Sequence, residues 1–488
     1  MLLVLLACGG DVTVDSVPAP VVDTAVDPQV EVLEGGALLA RLSLDLVGRR
    51  PTLDELDRVE ADPTEIDALI EEYLADPAFG DRMAWLWNDA FQTAVFAEDY
   101  RRFDELPDEL WQAMGWQPLA MVSLIVTQDR PFTHLVTAQQ TAGHPVLEGF
   151  YPLEAPGDDW GWSPVTDDRP MSGVLSNTTL WLRYTGDATN KHRVRANAVS
   201  RILLCSDFLA RDGGFEFALE PDALENVEHA VATEGACLSC HASLDPLGSA
   251  FGGFAERSDS LPSDQYLRWS EYTDAWYTAQ VAPAWFGVPA TLGELGPLVA
   301  ADPRFSRCVV ERFHTGLVGE APSPDEHARL TGQFLDAQHV ARDLVRDIVA
   351  TEAYREATPR SLTNEQLASS LSHALGLDPD GPLAPLAWDP ELRVLAGGTD
   401  DVVVLQRNPA PGVARQAALL WAARAGVPEA DVVDESVSVD EELVRLHQVF
   451  LSTVPDEDSL AGLQAVHAAS GWDGVLEALV RHPSGSVH

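Results

Sequence analysis

The sequence predicts a mainly α protein, with multi-helix domains at either end and, between them, a module organised around one short motif. Three observations carry that reading. Apolar residues recur at helical spacing over long stretches, helix-start signals stand at the head of those stretches, and no region is rich in strand patterns. The motif is Cys237-Leu238-Ser239-Cys240-His241, and the preceding Asp222 to His229 reads as a capped helix.

Met1 to Gly10 is an apolar run that ends in a small residue and a cysteine. It resembles the lipobox of a bacterial lipoprotein signal, in which Cys8 is diacylated and becomes the mature N-terminus. The run is short and no Lys or Arg precedes it, as a start codon assigned too far downstream would produce; a truncated ordinary signal peptide is the alternative. Residues 1–8 are read as signal. Residues 9–36 are read as a flexible tether, because Asp11 to Glu34 is rich in Val, Asp and Pro and has no helical period.

Residues 37–130 form the expected N-terminal helical domain. Thr52 as N-cap with Glu55 at the capping-box position announces one helix, and Ile66, Leu69, Ile70, Tyr73 and Leu74 mark the core-facing stripe of the next. Trp85 and Trp87 continue this helical region. Residues 131–358 form the central module with loop insertions. The helical period fades from Arg130 to Trp181, and Pro152 to Pro170 reads as a surface loop. Helix returns over Ser176 to Phe208, with Val194, Ala198, Ile202 and Leu203 on one side and Arg193, Arg195 and Arg201 on another. Phe305 to Gly319 and Asp325 to Tyr354 are amphipathic helices. Residues 359–488 form a C-terminal helical domain that restarts at Ser361 to Leu367.

A chain of 488 residues is too long for one core. Its formal net charge of −46 excludes nucleic-acid binding, which needs basic stripes to neutralise phosphates. Lys191 is the single lysine. So acidic a surface fits an extracytoplasmic or salt-adapted protein, and a genome-wide bias in composition explains it equally well. After Ala7 no apolar run is long enough to span a bilayer, so membrane attachment rests on the lipid at Cys8. The expected location is the periplasm or cell surface.

Two thiols three positions apart on a helix can form thioethers to both vinyl groups of one porphyrin, and the adjacent imidazole is then placed at the iron. The expected cofactor is one covalently bound haem c, attached through Cys237 and Cys240 with His241 as axial ligand. Two other readings of the pair stand beside it. A zinc half-site needs a second C-x-x-C or C-x-x-H, which does not follow at a suitable distance; a thioredoxin-like pair needs a βαβ setting. Of the remaining cysteines, Cys205 and Cys308 flank the motif, and in an oxidising compartment they are expected to pair. Two buried free thiols are the alternative.

The stretch from Cys237 through His241 to Leu244-Asp245-Pro246-Leu247-Gly248 resembles the C-x-x-C-H-x-x-M-D-P-L-G hallmark of planctomycete-type cytochrome c-like proteins of unknown function, also common in myxobacteria. Gly173-Val174-Leu175-Ser176, the segment Arg193 to Cys205 and Asp302 to Val310 resemble other parts of that family. Arg41 to Gly48, Pro51-Thr52 and Asp76-Pro77-Ala78-Phe79-Gly80 are similar to the opening of a companion family often fused to such modules, and Ser361 to Leu367 to the start of its C-terminal part. The resemblance implies a cytochrome c-like haem module between helical domains and leaves the reaction undefined. The family's Met is Leu244 here, and its Gly-Arg after the later helix is Gly319-Glu320.

Asp245-Pro246-Leu247-Gly248 reads as a turn leaving the haem edge. Asp245 has two candidate roles, a turn-former or an acceptor for the His241 ring. No Met follows Met171, which makes Met171 the candidate thioether for the second axial position, with His192, His229, His314 or an open face as alternatives. The expected function is electron transfer, or a redox module serving an unknown partner. The alternatives are a haem-dependent oxidoreductase, since a bare carrier needs far fewer residues, and a cell-surface scaffold that binds through Trp111, Trp116, Trp160, Trp162, Trp269 and Trp276. The sequence contains no G-x-S-x-G, H-E-x-x-H, P-loop or Rossmann glycine run.

Overall fold

The computed structural model describes residues 32–95, 107–154, 156–184, 192–210, 233, 235–254, 281–408 and 412–486. Its helices start where caps and apolar stripes coincide. Helix α1 (Gly35–Leu46) buries Leu38, Leu39, Leu42 and Leu46. Helix α2 (Leu53–Ala61) opens on a capping box: Glu55 N donates to Thr52 Oγ1 at 3.2 Å and Thr52 N donates to Glu55 Oε2 at 2.6 Å. Helix α3 (Glu65–Ala75) buries the stripe Ile66, Leu69, Ile70, Tyr73 and Leu74. Helix α4 (Pro77–Phe91) begins with proline at its first position and Asp76 capping Ala78 N. The segment after α4 meets helix α5 (Asp108–Thr127) closely at Gly115, where a Cβ would lie 2.4 Å from the Thr93 carbonyl oxygen.

Next come α6 (His134–Thr137) and the antiparallel strands β1 (Thr141–Gly143) and β2 (Gly161–Ser163), with Thr141 opposite Ser163. This small sheet lies in the stretch whose helical period fades. Helices α7 (Thr178–Arg183), α8 (Arg193–Leu204) and α9 (Gly235–Ser249) follow, then the hairpin β3 (Ala284–Trp285) and β4 (Val288–Pro289). The central part closes with α10 (Leu292–Ala301), α11 (Pro303–Val318), α12 (Pro324–Asp336), α13 (Ala341–Val349) and α14 (Glu352–Arg355). The C-terminal part contains α15 (Asn364–Ala374), α16 (Pro385–Trp388), α17 (Pro390–Leu395), α18 (Val413–Gly426), α19 (Val439–Leu451) and α20 (Glu457–Val480). The architecture is mainly helical.

Most buried apolar side chains between Leu38 and Tyr354 share one core, and those between Leu362 and Val480 a second, to which α1 contributes Leu44; a smaller cluster joins Leu110, Trp111 and Met114 of α5 to Leu147, Tyr151 and Leu153. Polar groups of α1 join the two. Arg41 Nη1 donates to the carbonyls of Tyr354 at 2.8 Å and Glu356 at 2.6 Å, and its Nη2 donates to that of Thr358 at 2.8 Å. One turn along, Asp45 accepts from Tyr354 Oη at 3.1 Å and Gln366 Nε2 at 2.9 Å. A second junction is ionic. Glu365, almost fully buried, faces Arg407 at 2.7 Å and Arg393 at 3.2 Å, and Arg407 also reaches Asp89 of α4 at 2.6 Å. Trp85, Trp116 and Trp388 gather at the same boundary, with ring centroids 4.7, 4.9 and 5.5 Å apart.

A disulfide joins Cys205, at the end of α8, to Cys308 in α11, with Cα atoms 5.2 Å apart. Two local expectations are corrected. Arg195 does not share a polar face of α8: it is 1% exposed, while Val194 beside it is 41% exposed. The reason is that buried carbonyls across the helix require donors, and an arginine head supplies several. Asp245 to Gly248 is not a turn, because α9 runs on through it to Ser249. Leu244, Leu247 and Phe251 form a buried stripe at helical spacing, and Ser249 Oγ donates to the Asp245 carbonyl at 3.0 Å.

Candidate functional site

Helix α9 carries the motif in its first two turns. Cys237 and Cys240 stand one turn apart, both half-buried and both free thiols. Leu238, Ser239 and Ala242 are exposed, whereas Leu244, Leu247 and Phe251 are buried, so the thiols lie between the outer and inner flanks of the helix. Cys240 packs against the main core.

His241 Nδ1 lies 2.9 Å from Oδ1 of Asp245, its neighbour one helical turn on. Asp245 also receives a two-pronged arginine: Arg193 Nε donates to Oδ1 at 2.7 Å and Arg193 Nη2 to Oδ2 at 2.9 Å. Burial alone would raise the Asp245 carboxyl. The hydrogen bonds from His241 and Arg193 outweigh it and hold the group down to about 2. An ionised carboxylate only accepts, so His241 Nδ1 is the donor between the two side chains.

Helix α8 holds α9 at a second place. Arg195 Nε donates to the Tyr184 carbonyl at 3.1 Å, and its Nη1 donates to the carbonyls of Phe251 at 3.1 Å and Phe254 at 2.9 Å, just past the end of α9. Trp181 of α7 packs on Phe251 with ring centroids 4.4 Å apart. Helix α8 therefore holds α9 at Asp245 and just past its C-terminal end, while both thiols stay half-exposed.

These residues fit a covalently attached haem. Two free, half-exposed thiols at i and i+3 are followed by an imidazole held through Nδ1, which leaves Nε2 as the nitrogen that would ligate iron. Sequence reasoning missed Arg193 as a site residue. It is 52 positions from Asp245, and no local spacing connects two such distant residues.

Met171 lies half-buried on a loop whose hydrogen bonds run elsewhere: Gly173 N donates to Ala138 O and Val174 N to Leu135 O. His192 is fully buried at the head of α8. His314 of α11 is buried, with Nδ1 2.9 Å from the Glu320 carbonyl and Nε2 without a partner among the described residues. Cys8 and His229 lie outside the described residues, as do Trp269 and Trp276. Trp111 and Trp116 are buried in α5, whereas Trp160 and Trp162 are half-buried. Among the described residues no three His, Cys, Asp or Glu side chains are grouped to hold a bare metal ion, and no helix is long and apolar enough to cross a membrane.

Comparison with known families bears on the N-terminal part. Residues 21–157 match the family PSCyt2, described as a protein of unknown function (DUF1549). This stretch is a DUF1549 domain. It contains α1, with the Arg41 and Asp45 junction, and ends before α8 and α9. The DUF1549 domain thus supplies one wall of the main core, and the cysteine motif lies outside it. No curated protein and no solved structure matches the chain.

Proposed function

We propose that Cys237 and Cys240 covalently hold one haem c, with His241 as its axial ligand, in an exported protein that is tethered to a membrane through a lipid on Cys8 and works as an electron-transfer or redox module. The observation that carries this reading is the state of α9: both thiols are free and half-exposed one turn apart, and the next residue is a histidine whose Nδ1 hydrogen is already engaged by Asp245. A structural thiol pair has no need of a histidine oriented in this way. Haem bound there supplies one-electron chemistry at iron, tuned by its axial ligands and their hydrogen bonds.

The protein's own contribution is positional. Arg195 fixes the end of α9 against the core, Arg193 and Asp245 fix the rotamer and tautomer of His241, and Leu244 and Leu247 anchor the inner flank of the helix. Met171 is the proposed ligand of the second axial position.

The test is expression with the cytochrome c maturation machinery, followed by absorption spectroscopy and intact-mass measurement. A coloured protein with the mass of one added haem, lost in Cys237→Ser with Cys240→Ser, is the expected result. Colourless protein without added mass overturns the proposal. Membrane fractionation checks the tether: Cys8→Ser is expected to move the protein to the soluble fraction.

A further inference from the structure

We infer that Asp245 is a positioning residue for the proximal histidine, that Arg193 locks it in place, and that the carboxylate lowers the reduction potential of iron bound there. This rests on the haem reading above and deepens it. His241 and Asp245 are one turn apart on the same face of α9, so their hydrogen bond is built into the helix. The carboxylate has no freedom to turn away. Arg193 takes Oδ1 and Oδ2 together with its Nε and Nη2, and Arg193 sits at the first position of α8, a helix itself held to the α9 end by Arg195.

The consequence follows from charge. A ring whose Nδ1 hydrogen points at an ionised carboxylate carries more electron density at Nε2 than one bonded to a neutral carbonyl, and is the stronger donor to ferric iron. Stabilising the ferric form lowers the potential. Arg193 has a second effect: bonded to both oxygens, including the Oδ1 that faces His241, it keeps Asp245 beside the ring rather than in solvent. Neither residue touches substrate or iron, so both act through His241.

The experiment is a redox titration of the holoprotein and its variants, paired with thermal unfolding to separate folding from tuning. Asp245→Asn preserves shape and a weaker hydrogen bond but removes the charge. It is expected to favour the reduced state by about tenfold, an upward move of about 59 mV for one electron. Arg193→Lys keeps a positive charge but loses the fork, and its potential is expected to move in the same direction by a smaller factor. Should Asp245→Asn fail to fold, Arg193→Lys alone reads the effect. Wild-type protein that never acquires haem overturns the haem reading and this one with it. A haem-bearing Asp245→Asn whose potential equals wild type overturns this inference alone and leaves the haem reading standing.

Discussion

Replacing Glu365 by glutamine removes the one negative charge that faces both Arg407 and Arg393 inside the C-terminal part. Burial by itself would raise the Glu365 carboxyl, but the two guanidinium groups outweigh it and hold the group at about 2, against an ordinary value of 4.5. At about 1.4 kcal/mol per pH unit, that depression corresponds to about 3 kcal/mol of folding stability. The sign is fixed by linkage. The folded value lies below the unfolded one, so the contribution is fully present above about pH 4.5 and is lost as pH falls toward about 2. Denaturant unfolding of wild type and Glu365→Gln at several pH values is the assay. The variant is expected to be less stable by about 3 kcal/mol near pH 7, consistent with breaking a buried pair, and the gap is expected to close as the solution is acidified. A gap that stays constant from about pH 7 to about pH 3, or one below about 1 kcal/mol at neutrality, would refute the reasoning.

Converting Cys205 and Cys308 together to serine opens a covalent loop spanning 103 positions, and chain entropy puts the loss at about 4–5 kcal/mol. The measurement is the denaturation midpoint with and without reductant: the double variant should match reduced wild type, and equality with oxidised wild type counts against the bond. Gly173 has φ of +55°, and a Cβ there would lie 2.2 Å from the Leu135 carbonyl oxygen. Gly173→Ala is therefore expected to cost about 3 kcal/mol from backbone strain and overpacking, visible as a lower thermal midpoint, and an unshifted midpoint would contradict the close approach.

What was legible in the sequence was local. The Thr52–Glu55 capping box, the stripe from Ile66 to Leu74 and the helix restart within Ser361 to Leu367 each depend on residues within a few positions of one another, and each is present, the last with Thr363 as its N-cap. The motif residues shared one helix for the same reason. What was not legible depends on partners far along the chain. Arg195 reads as a solvent-facing arginine until the carbonyls of Phe251 and Phe254 are seen against it. Asp245-Pro246-Leu247-Gly248 has turn chemistry, yet burial of Leu244, Leu247 and Phe251 outweighs it and extends α9. Arg193 could be assigned to Asp245 only after α8 was set beside α9.

Arg41 has a bearing on how this chain acquires its final form. The three carbonyls it grips are 313, 315 and 317 residues downstream, so the first described helix is synthesised long before its acceptors exist. Closing so wide a loop carries a large entropic barrier, and contacts of such separation slow assembly. The guanidinium of Arg41 must wait in water while most of the polypeptide is made. Its docking is consequently a late event in maturation, and a ribosome stall before Tyr354 leaves the opening helix without its latch.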